Sequence, residues 1–393
     1  MRFSNAFIPV GAAWSSPFCR WQGSFSGISS LELATLVTRT ALEERHIDAA
    51  DFTDVVLGST VPQPAVFYAT PTFAHSIGAG GIGGPLIAQA CATSAAVVGH
   101  AAALSELADD RLVLAVTTDR TSNGPLVVYP TNRGGTETED WVMDNIARDP
   151  VTNQPMIQTA ERVAREGGYS RAQLDELTLQ RFAQYQDSLA DDRAFQRRYF
   201  VPVTVGTGKR SVTIDEDQGV HPTTAAGLAA LAPTVEGGVV TAGSQTHPAD
   251  GAAGLIVTTR GMAGELGEGG VVARILSSSI ARSEPGAMAK APVPAARQAL
   301  RDAGRDISEV DVVKTHNPFV VNDLWFADQM GVEQTRINAY GSSLVYGHPQ
   351  GPTGMRAIAE LIELLYRRGG GLGLFTGCAA GDSAGAVLIE VTG

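Results

Sequence analysis

The chain has 393 residues, of which 44% are hydrophobic and 18% charged, and a formal net charge of −12. This length exceeds one ordinary domain, so we expect at least two packed units. The acidic balance argues against a nucleic-acid-binding surface, which needs clustered basic residues. No apolar run approaches the roughly 20 residues of a membrane span, and the N-terminus does not resemble a signal peptide. We therefore expect a cytoplasmic globular protein that binds neither nucleic acid nor membrane.

Three cysteines are present, Cys19, Cys91 and Cys378. An odd, small number in a chain of this length is typical of a reducing compartment and indicates no disulfide framework. Their spacing does not match a local metal site such as CxxC. We therefore expect no metal in this chain.

Helical and strand-like segments alternate in the first part of the chain. Residues 31–45 have helical apolar spacing, and a short buried strand is predicted at 54–58. An alanine-rich stretch without proline predicts a buried helix at 91–107, and residues 111–116 predict an inner strand. This alternation predicts an α/β fold around a largely buried sheet.

The middle of the chain has a different character. Residues 131–140 are polar and loop-like, 159–187 read as a charged amphipathic helical stretch, and 202–213 look strand-like. We interpret this region as an excursion inserted into the first half. The predicted division is a first half at 1–119, a loop domain at 120–245, a return of the first half at 246–268 and a C-terminal half at 269–393.

Two sequence echoes connect the first and last thirds. Thr38-Arg-Thr-Ala-Leu before Asp54-Val-Val is matched by Ala296-Arg-Gln-Ala-Leu before Asp311-Val-Val. Ala90-Cys-Ala-Thr-Ser-Ala is matched by Gly377-Cys-Ala-Ala-Gly-Asp-Ser-Ala. We interpret them as a duplicated α/β unit that presents a cysteine at the start of a helix in each half. Chance similarity in a chain rich in alanine and valine is the alternative.

Cys91 is the first candidate for chemistry. A glycine-rich approach at 78–84 and the predicted helix after it place the sulfur at a helix N-terminus. There the helix dipole and free N–H groups favour a thiolate, the form that attacks carbonyls. The alternative is a small buried core residue, which is the more common role of a lone cysteine.

Three further residues qualify as acid–base or hydrogen-bonding groups. His348, in Tyr346-Gly-His-Pro-Gln-Gly-Pro-Thr-Gly, is held between glycines and a proline and can act as a base or as a donor to an oxyanion. A structural loop histidine is the alternative. Cys378 can act as an acid or base when its pKa is lowered. His316 follows a predicted strand and either binds a water or substrate oxygen or caps the loop.

These motifs together resemble the thiolase family. Its members carry a nucleophile motif like Ala90-Cys91-Ala-Thr-Ser-Ala, a Gly347-His348-Pro349 motif and a late Gly377-Cys378, in this order. The resemblance implies an α/β thiolase fold, with two duplicated halves in five αβαβα layers and an inserted loop domain. Further matching segments are Ser16-Pro-Phe-Cys-Arg-Trp-Gln-Gly-Ser-Phe, Met156-Ile-Gln-Thr-Ala-Glu, Thr241-Ala-Gly-Ser, Asp250-Gly-Ala-Ala and Asn338.

The resemblance also implies roles. Cys91 would take the acyl group of an acyl-CoA, His348 would activate Cys91, and Cys378 would move the proton at the α-carbon. His348 and His316 would form one oxyanion hole, and the amides of Cys91 and Ala380 the other. Coenzyme A and acyl-CoA would be the substrates of a ping-pong thiolytic cleavage or the reverse Claisen condensation. The CoA-contacting residues remain unassigned.

Some positions depart from the common thiolase pattern. His316-Asn317-Pro318-Phe319 replaces Asn-Glu-Ala-Phe and resembles a branch similar to sterol-carrier thiolases, which use His-Asp-Cys-Phe. Ser244 replaces an asparagine, Ser342-Ser343 replace paired glycines, and Tyr346 replaces a leucine. We interpret these changes as marks of a specialised acyl substrate, bulky or aromatic, such as benzoylsuccinyl-CoA.

Two other functions stay open from the sequence. One is a condensing enzyme like the ketoacyl synthases, which share the fold superfamily but pair the nucleophile with two histidines or His and Asn. The other is a non-catalytic thiolase-fold subunit of a heteromeric complex. The resemblance implies a homodimer or a dimer of dimers, and some histidine-variant relatives work with a small OB-fold or zinc-binding partner chain.

Overall fold

The structure, a computed structural model, describes residues 1–392, which form thirteen helices and fifteen strands. The helices are α1 (Ser30–Glu44), α2 (Ala69–Ile77), α3 (Thr93–Ser105), α4 (Met143–Ala147), α5 (Met156–Gly167), α6 (Arg171–Ser188), α7 (Ala190–Arg193), α8 (Ala225–Ala229), α9 (Arg260–Leu266), α10 (Pro292–Ala303), α11 (Val320–Met330), α12 (Ser343–Tyr346) and α13 (Gly351–Arg367). The strands are β1 (Phe7–Pro9), β2 (Ala13–Ser15), β3 (Cys19–Arg20), β4 (Asp54–Gly58), β5 (Leu86–Ile87), β6 (Leu112–Arg120), β7 (Leu126–Thr131), β8 (Gly135–Asp140), β9 (Val203–Val205), β10 (Val212–Ile214), β11 (Ala249–Thr258), β12 (Val272–Arg282), β13 (Val312–His316), β14 (Gly371–Ala379) and β15 (Ser383–Thr392).

Eleven strands form one sheet in the order β13-β14-β15-β12-β1-β11-β6-β4-β5, with β2 and β3 also pairing with β11. The strand β1 joins the two halves, because Phe7 pairs with Thr258 of β11 on one side and with Arg274 of β12 on the other. In each half, a parallel pairing (β4 with β6, and β13 with β14) is followed by an antiparallel one (β6 with β11, and β14 with β15), which produces the same local topology.

Helices cover both faces of this sheet and also fill the space between its halves. The apolar helices α3 and α13 pack against each other and against strands of both halves. The helices α1 and α2 cover the outer face of the first half, and α10 and α11 cover that of the second half. The layers therefore run αβαβα, and the five-layered, duplicated α/β fold predicted from the sequence is confirmed.

The first sequence echo marks equivalent elements, since it lies on α1 and β4 in one half and on α10 and β13 in the other. The second echo does not. Cys91 precedes α3, whereas Cys378 lies inside β14 and is followed by the strand β15. The prediction of a helix after Cys378 was wrong, because Gly381 and Asp382 adopt positive φ angles of 76° and 55° and turn the chain into a hairpin.

The excursion leaves the sheet after Arg120 and returns at Ala249, where β11 pairs directly with β6. Residues 131–140 were predicted as a polar loop but contribute to the β7–β8 hairpin, whose side chains are mostly exposed and so carry no apolar alternation. The predicted helical stretch 159–187 is divided at Gly168, where φ is 67°. The division of the chain into domains remains a prediction.

A buried ion pair ties the excursion to the helix that carries the histidine turn. The guanidinium of Arg356 in α13 lies 2.6 Å from the carboxylate of Asp217, and both side chains are buried. Breaking such a pair leaves an uncompensated buried charge. The excursion and α13 are therefore fixed relative to each other. Within residues 1–392, no helix combines the length and apolar character needed to cross a membrane.

Candidate active site

Cys91 lies at the junction between β5 and α3, two residues before the helix begins at Thr93. The predicted helix start at residue 91 was therefore two residues early. The residue before the cysteine, Ala90, has a φ of 44°, which is a strained value for a residue with a β-carbon. This bend presents Cys91 to the wall of a cavity.

His348 lies in the turn before α13. Its neighbour Gly347 has a φ of 93°, and a β-carbon there would lie 2.7 Å from Nε2 of His247, so the turn requires glycine. The backbone N–H of His348 donates to the carbonyl oxygen of His247 at 2.9 Å. In the ring, Nδ1 lies 2.6 Å from Oγ1 of Thr353, and Nε2 lies 3.0 Å from Sγ of Cys91. The turn therefore fixes the imidazole against the sulfur.

Burial determines the protonation of this pair. Burial raises the pKa of the Cys91 thiol to about 12, although the backbone N–H of Ala380 acts to lower it. Burial also lowers the pKa of His348 to about 3. A neutral thiol and a neutral imidazole are therefore the stable forms near neutral pH. The expectation of a thiolate stabilised by the helix terminus was wrong for this geometry, because burial outweighs the N–H groups.

His316 ends β13 and is completely buried behind His348. The two rings stack at a centroid distance of 4.0 Å with an interplanar angle of 23°. Nδ1 of His316 lies 2.8 Å from Oγ of Ser343, and Nε2 has no hydrogen-bond partner within residues 1–392. Burial holds the pKa of His316 well below its usual value, so the ring is neutral. Its Nε2 is available for a hydrogen bond to a donor or an acceptor.

One potential ligand atom from each of Cys91, His316 and His348 falls within a 4.8 Å cluster. Zinc bound by such residues requires imidazole lone pairs that converge at about 2.0 Å. The lone pairs of two nearly parallel rings do not converge, because each lies in the plane of its own ring. This geometry fits a hydrogen-bonding group better than a metal centre.

Cys378 lines the same cavity from β14. Its sulfur accepts a hydrogen bond at 3.2 Å from Nδ2 of Asn322, the third residue of α11. Burial raises the pKa of this thiol well above its ordinary value. Ala380, immediately after β14, also lines the cavity, and its N–H interacts with the sulfur of Cys91. The structure therefore brings Cys91, His348, Cys378 and Ala380 together, with His316 directly behind them.

The cavity has a volume of about 610 Å³, within the usual range of small-molecule sites. Most of its wall is apolar, and none of the lining residues within 1–392 is lysine or arginine. Much of the wall comes from the excursion, which the resemblance placed over the CoA site without identifying the lining residues. The large apolar lining side chains are Trp141, Val142, Ile146, Met156, Ile157, Met288 and Phe319.

Among the departures from the thiolase pattern, Pro318 lines the cavity, whereas Ser244, Ser343 and Tyr346 lie outside its wall. The hydroxyl of Ser343 contacts His316, as described above. Tyr346 is buried and packs over the guanidinium of Arg356, with the cation 3.6 Å from the ring centroid. Ser244 is buried within a short turn closed by Thr241. Their contacts are internal, so they act on the acyl pocket only through the packing around it.

Sequence analysis missed Asp119, near the end of β6. Its buried carboxylate accepts hydrogen bonds from the N–H groups of Thr60, Val61 and Gly351 and from the hydroxyls of Ser59 and Thr60. It thereby ties the first half to the start of α13. An aspartate three residues after the predicted strand at 111–116 gives no signal of this role, since the contacts come from distant segments.

Comparisons with known proteins agree with this geometry. The family model described as thiolase, N-terminal domain, matches residues 9–261, and the one described as thiolase, C-terminal domain, matches 270–391. A beta-ketothiolase (BktB) of Cupriavidus necator is 30% identical over 94% of this chain and 95% of its own length. Acetyl-CoA acetyltransferase 1 of Arabidopsis thaliana is 29% identical over 97% and 93%.

Solved structures give the same result. The acetyl-CoA acetyltransferase of Bacillus anthracis superposes with a TM-score of 0.89 at 26% identity, covering 99% of both chains. The human mitochondrial 3-ketoacyl-CoA thiolase in complex with CoA has a TM-score of 0.89 at 23% identity, covering both chains completely, and supports the fold alone. The chain therefore belongs to the thiolase family of acyltransferases.

Proposed function

We propose that the protein catalyses CoA-dependent thiolytic cleavage of a 3-oxoacyl-CoA through an acyl-Cys91 intermediate. The observation that carries this proposal is the 3.0 Å contact between Sγ of Cys91 and Nε2 of His348, in the wall of a cavity that also holds Cys378. A nucleophile, its base and a second acid–base group at one cavity are the parts that this reaction requires.

In the first half-reaction, Nε2 of His348 takes the proton of the Cys91 thiol as the sulfur bonds to the 3-oxo carbon. The bond between this carbon and the α-carbon then breaks, and its electron pair remains on the α-carbon as the enolate of the departing CoA thioester. The thiol of Cys378 gives this carbon its proton. Since both thiols have raised pKa values, proton transfer accompanies bond formation and does not precede it.

In the second half-reaction, the thiol of coenzyme A attacks the acyl-Cys91 thioester. Its proton passes to the thiolate of Cys378, and the released Cys91 sulfur regains its proton from His348. Both cysteines and the histidine thus return to their starting forms. Run backwards, the same steps condense two acyl groups.

Two sets of donors are proposed for the developing oxyanions. His348 and His316 would form the first set of donors. Their stacked rings and the free Nε2 of His316 support this assignment. The N–H groups of Cys91 and Ala380 would form the second, supported by their convergence on the Cys91 sulfur. Preorganised donors of this kind act strongly where water is excluded.

We propose a bulky, uncharged acyl group as the substrate. A wall that includes Trp141, Met156 and Phe319 and lacks cationic side chains supports an apolar or aromatic group. Benzoylsuccinyl-CoA is aromatic but also carries a free carboxylate, and the charged side chain in the wall, Glu139, would repel it. A neutral aromatic 3-oxoacyl-CoA therefore ranks above it.

A homodimer formed through the first half is proposed as the assembly. The two-residue strand β5 ends the sheet with Leu86 exposed, and Phe67 and Tyr68 are exposed by 89% and 65%. An open strand edge beside apolar side chains is a surface that proteins usually cover. A small OB-fold or zinc-binding partner chain is the alternative occupant.

Condensation in the synthetic direction is the second candidate function. The cluster of Cys91 with both His316 and His348 favours it, since condensing ketoacyl synthases pair their cysteine with two histidines. Acetyl-CoA or a longer acyl-CoA, supplied without free coenzyme A, would then yield a 3-oxoacyl-CoA. Its test is the formation of a 3-oxoacyl-CoA from acyl-CoA alone, measured beside the cleavage assay.

The test measures cleavage of acetoacetyl-CoA, a neutral aromatic 3-oxoacyl-CoA and benzoylsuccinyl-CoA in the presence of coenzyme A. We expect turnover in the wild type, an acyl adduct on the Cys91 peptide by mass spectrometry, and neither in Cys91→Ala. Cys19→Ala is the matched control, because this buried cysteine lies in β3 away from the cavity, and it should keep turnover. Turnover of Cys91→Ala at the wild-type rate would reject the mechanism. Absence of turnover and adduct in the wild type would favour the non-catalytic subunit.

A further inference from the structure

Asn322 is a buried side chain that contacts Cys378 from the first turn of α11. It is 2% exposed, and its Nδ2 donates to Sγ of Cys378 at 3.2 Å. Its amide oxygen, also buried, has no hydrogen-bond partner within residues 1–392. Buried amide oxygens are normally paired, and leaving one unpaired is destabilising. An uncompensated amide beside a reactive thiol indicates a role beyond packing.

An amide has one end that donates and one that accepts. The Nδ2 end satisfies a thiolate, which only accepts hydrogen bonds. The Oδ1 end satisfies a thiol, which donates weakly through S–H. Rotation of the amide by half a turn exchanges the two ends at nearly the same position. Asn322 can therefore match Cys378 in both of its protonation states.

Other groups near Cys378 oppose its ionisation. Burial raises its pKa most, and the Cys91 sulfur and the carboxylate of Asp323 raise it further. Asp323 lies behind the site, where its carboxylate pairs with the buried guanidinium of Arg181 at 2.8 Å. The groups that lower the pKa of Cys378 are the amide of Asn322 and the cysteine's own backbone N–H. Asn322 is thus the side chain that favours the thiolate.

We propose that Asn322 is a positioning residue for Cys378, which holds the sulfur toward the α-carbon and hydrogen-bonds it as thiolate and as thiol. This inference rests on the proposed function. When the thiolate removes a proton from the α-carbon, an S–H bond forms, the C–H electron pair becomes the C=C bond of the enolate, and the carbonyl π pair moves to the enolate oxygen. The amide then turns from donor to acceptor. The reverse occurs when the thiol protonates the enolate.

The experiment follows alkylation of Cys378 by iodoacetamide between pH 6 and 11 in a Cys91→Ser background, with the Cys378 peptide quantified by mass spectrometry. Asn322→Leu keeps the approximate shape of the side chain without the amide. We expect its alkylation at pH 8 to be about tenfold slower, with the pH profile displaced upward, because a charge-assisted hydrogen bond is lost. Asn322→Asp places a carboxylate beside the sulfur and should displace the profile further.

In the enzyme with Cys91 intact, Asn322→Leu should lower kcat by about tenfold or more and leave KM nearly unchanged, since the amide acts on proton transfer. Val321→Ala, on the same turn of α11, is the matched control for lost packing and should leave the alkylation profile in place. Unchanged alkylation in both Asn322 variants, or an unchanged kcat, overturns the inference. The alkylation assay needs no turnover, so failure of the proposed function is recognised separately by an inactive wild type.

Discussion

The strands β6 and β14 occupy equivalent places in the two halves, yet their carboxyl ends carry different chemistry. Asp54 pairs with Val113, and in the second half the N–H of Asp311 donates to Leu372. Six residues further along each strand, the positions are Asp119 and Cys378. Asp119 is enclosed by hydrogen bonds from the backbone and from hydroxyls, whereas Cys378 faces the cavity with one amide beside it.

The comparison shows that the two halves of the duplicated fold contribute different parts of the site. The first half supplies Cys91, the proposed nucleophile, at the junction before α3, and its strand end anchors the histidine turn. The second half supplies that turn and leaves its own strand end open to substrate. The site is therefore assembled from non-equivalent parts of two equivalent units.

Cys378→Ser should have the largest effect on this division. We expect turnover to fall by about 100- to 10,000-fold, because a serine hydroxyl is a much weaker acid than a thiol and the α-carbon loses its proton donor. Acylation of Cys91 by an acyl-CoA moves no α-proton and needs Cys378 only to protonate the departing CoA thiolate, so it should be slowed less than turnover. Steady-state rates and intact-protein mass measure the two steps. Near-normal turnover would remove Cys378 from the mechanism.

Asp119→Asn should lower kcat by about 10- to 100-fold, because an amide N–H placed against the N–H of Gly351 removes an anchor of the His348 turn. The matched control is Asp250→Asn, a buried aspartate on β11 that accepts from the N–H of Ser122 and does not contact this turn. If both variants lose activity equally, general destabilisation explains the loss and the anchoring role fails.

The free energy of unfolding of Asp119→Asn should also depend on pH differently from that of the wild type. Burial raises the pKa of Asp119 to about 6, so the folded protein retains a proton there that the unfolded chain has lost above about pH 4. Stability from this group is therefore greatest below pH 4 and falls by about 3 kcal/mol as the pH rises to 6 and beyond. Urea titrations at pH 5 and pH 7 should show a smaller difference in Asp119→Asn than in the wild type.

His316→Asn should have a smaller effect, a loss of about tenfold in kcat, since one of two oxyanion donors is replaced by another polar group. Ser343→Gly should cost less, because its hydroxyl acts through His316 at 2.8 Å. The double variant should resemble His316→Asn alone, and a double-mutant cycle measures this coupling. Strictly additive losses would mean that Ser343 acts independently of His316.

The sequence predicted the parts of this site that depend on local pattern. Cys91 and His348 lie in motifs rich in glycine and small residues, and the echo across α1 and α10 marked the duplication. The segment after Cys378 has the same small residues as the one after Cys91. Only the backbone shows that Gly381 and Asp382 turn it into a hairpin, so the helix expected there was wrong.

Contacts between distant segments were beyond sequence reasoning. Asn322 lies 56 positions from Cys378, and Asp119 lies 232 positions from Gly351. The excursion was recognised as a change of character, but its apolar wall around the cavity was not. Side chains such as Trp141 and Met156 have no helical or strand periodicity in common and meet only after the chain folds.

The direct pairing of β6 with β11 has a consequence for biosynthesis. More than a hundred residues of excursion separate the two strands, so the ribosome must complete the excursion before the first half can close its sheet. The pairing of β1 is completed later still, since its second neighbour, β12, emerges after β11. Pairings of such long range form slowly. The nascent chain therefore exposes unpaired strand edges for much of its synthesis. Chaperones at the ribosome would protect these edges from aggregation during that interval.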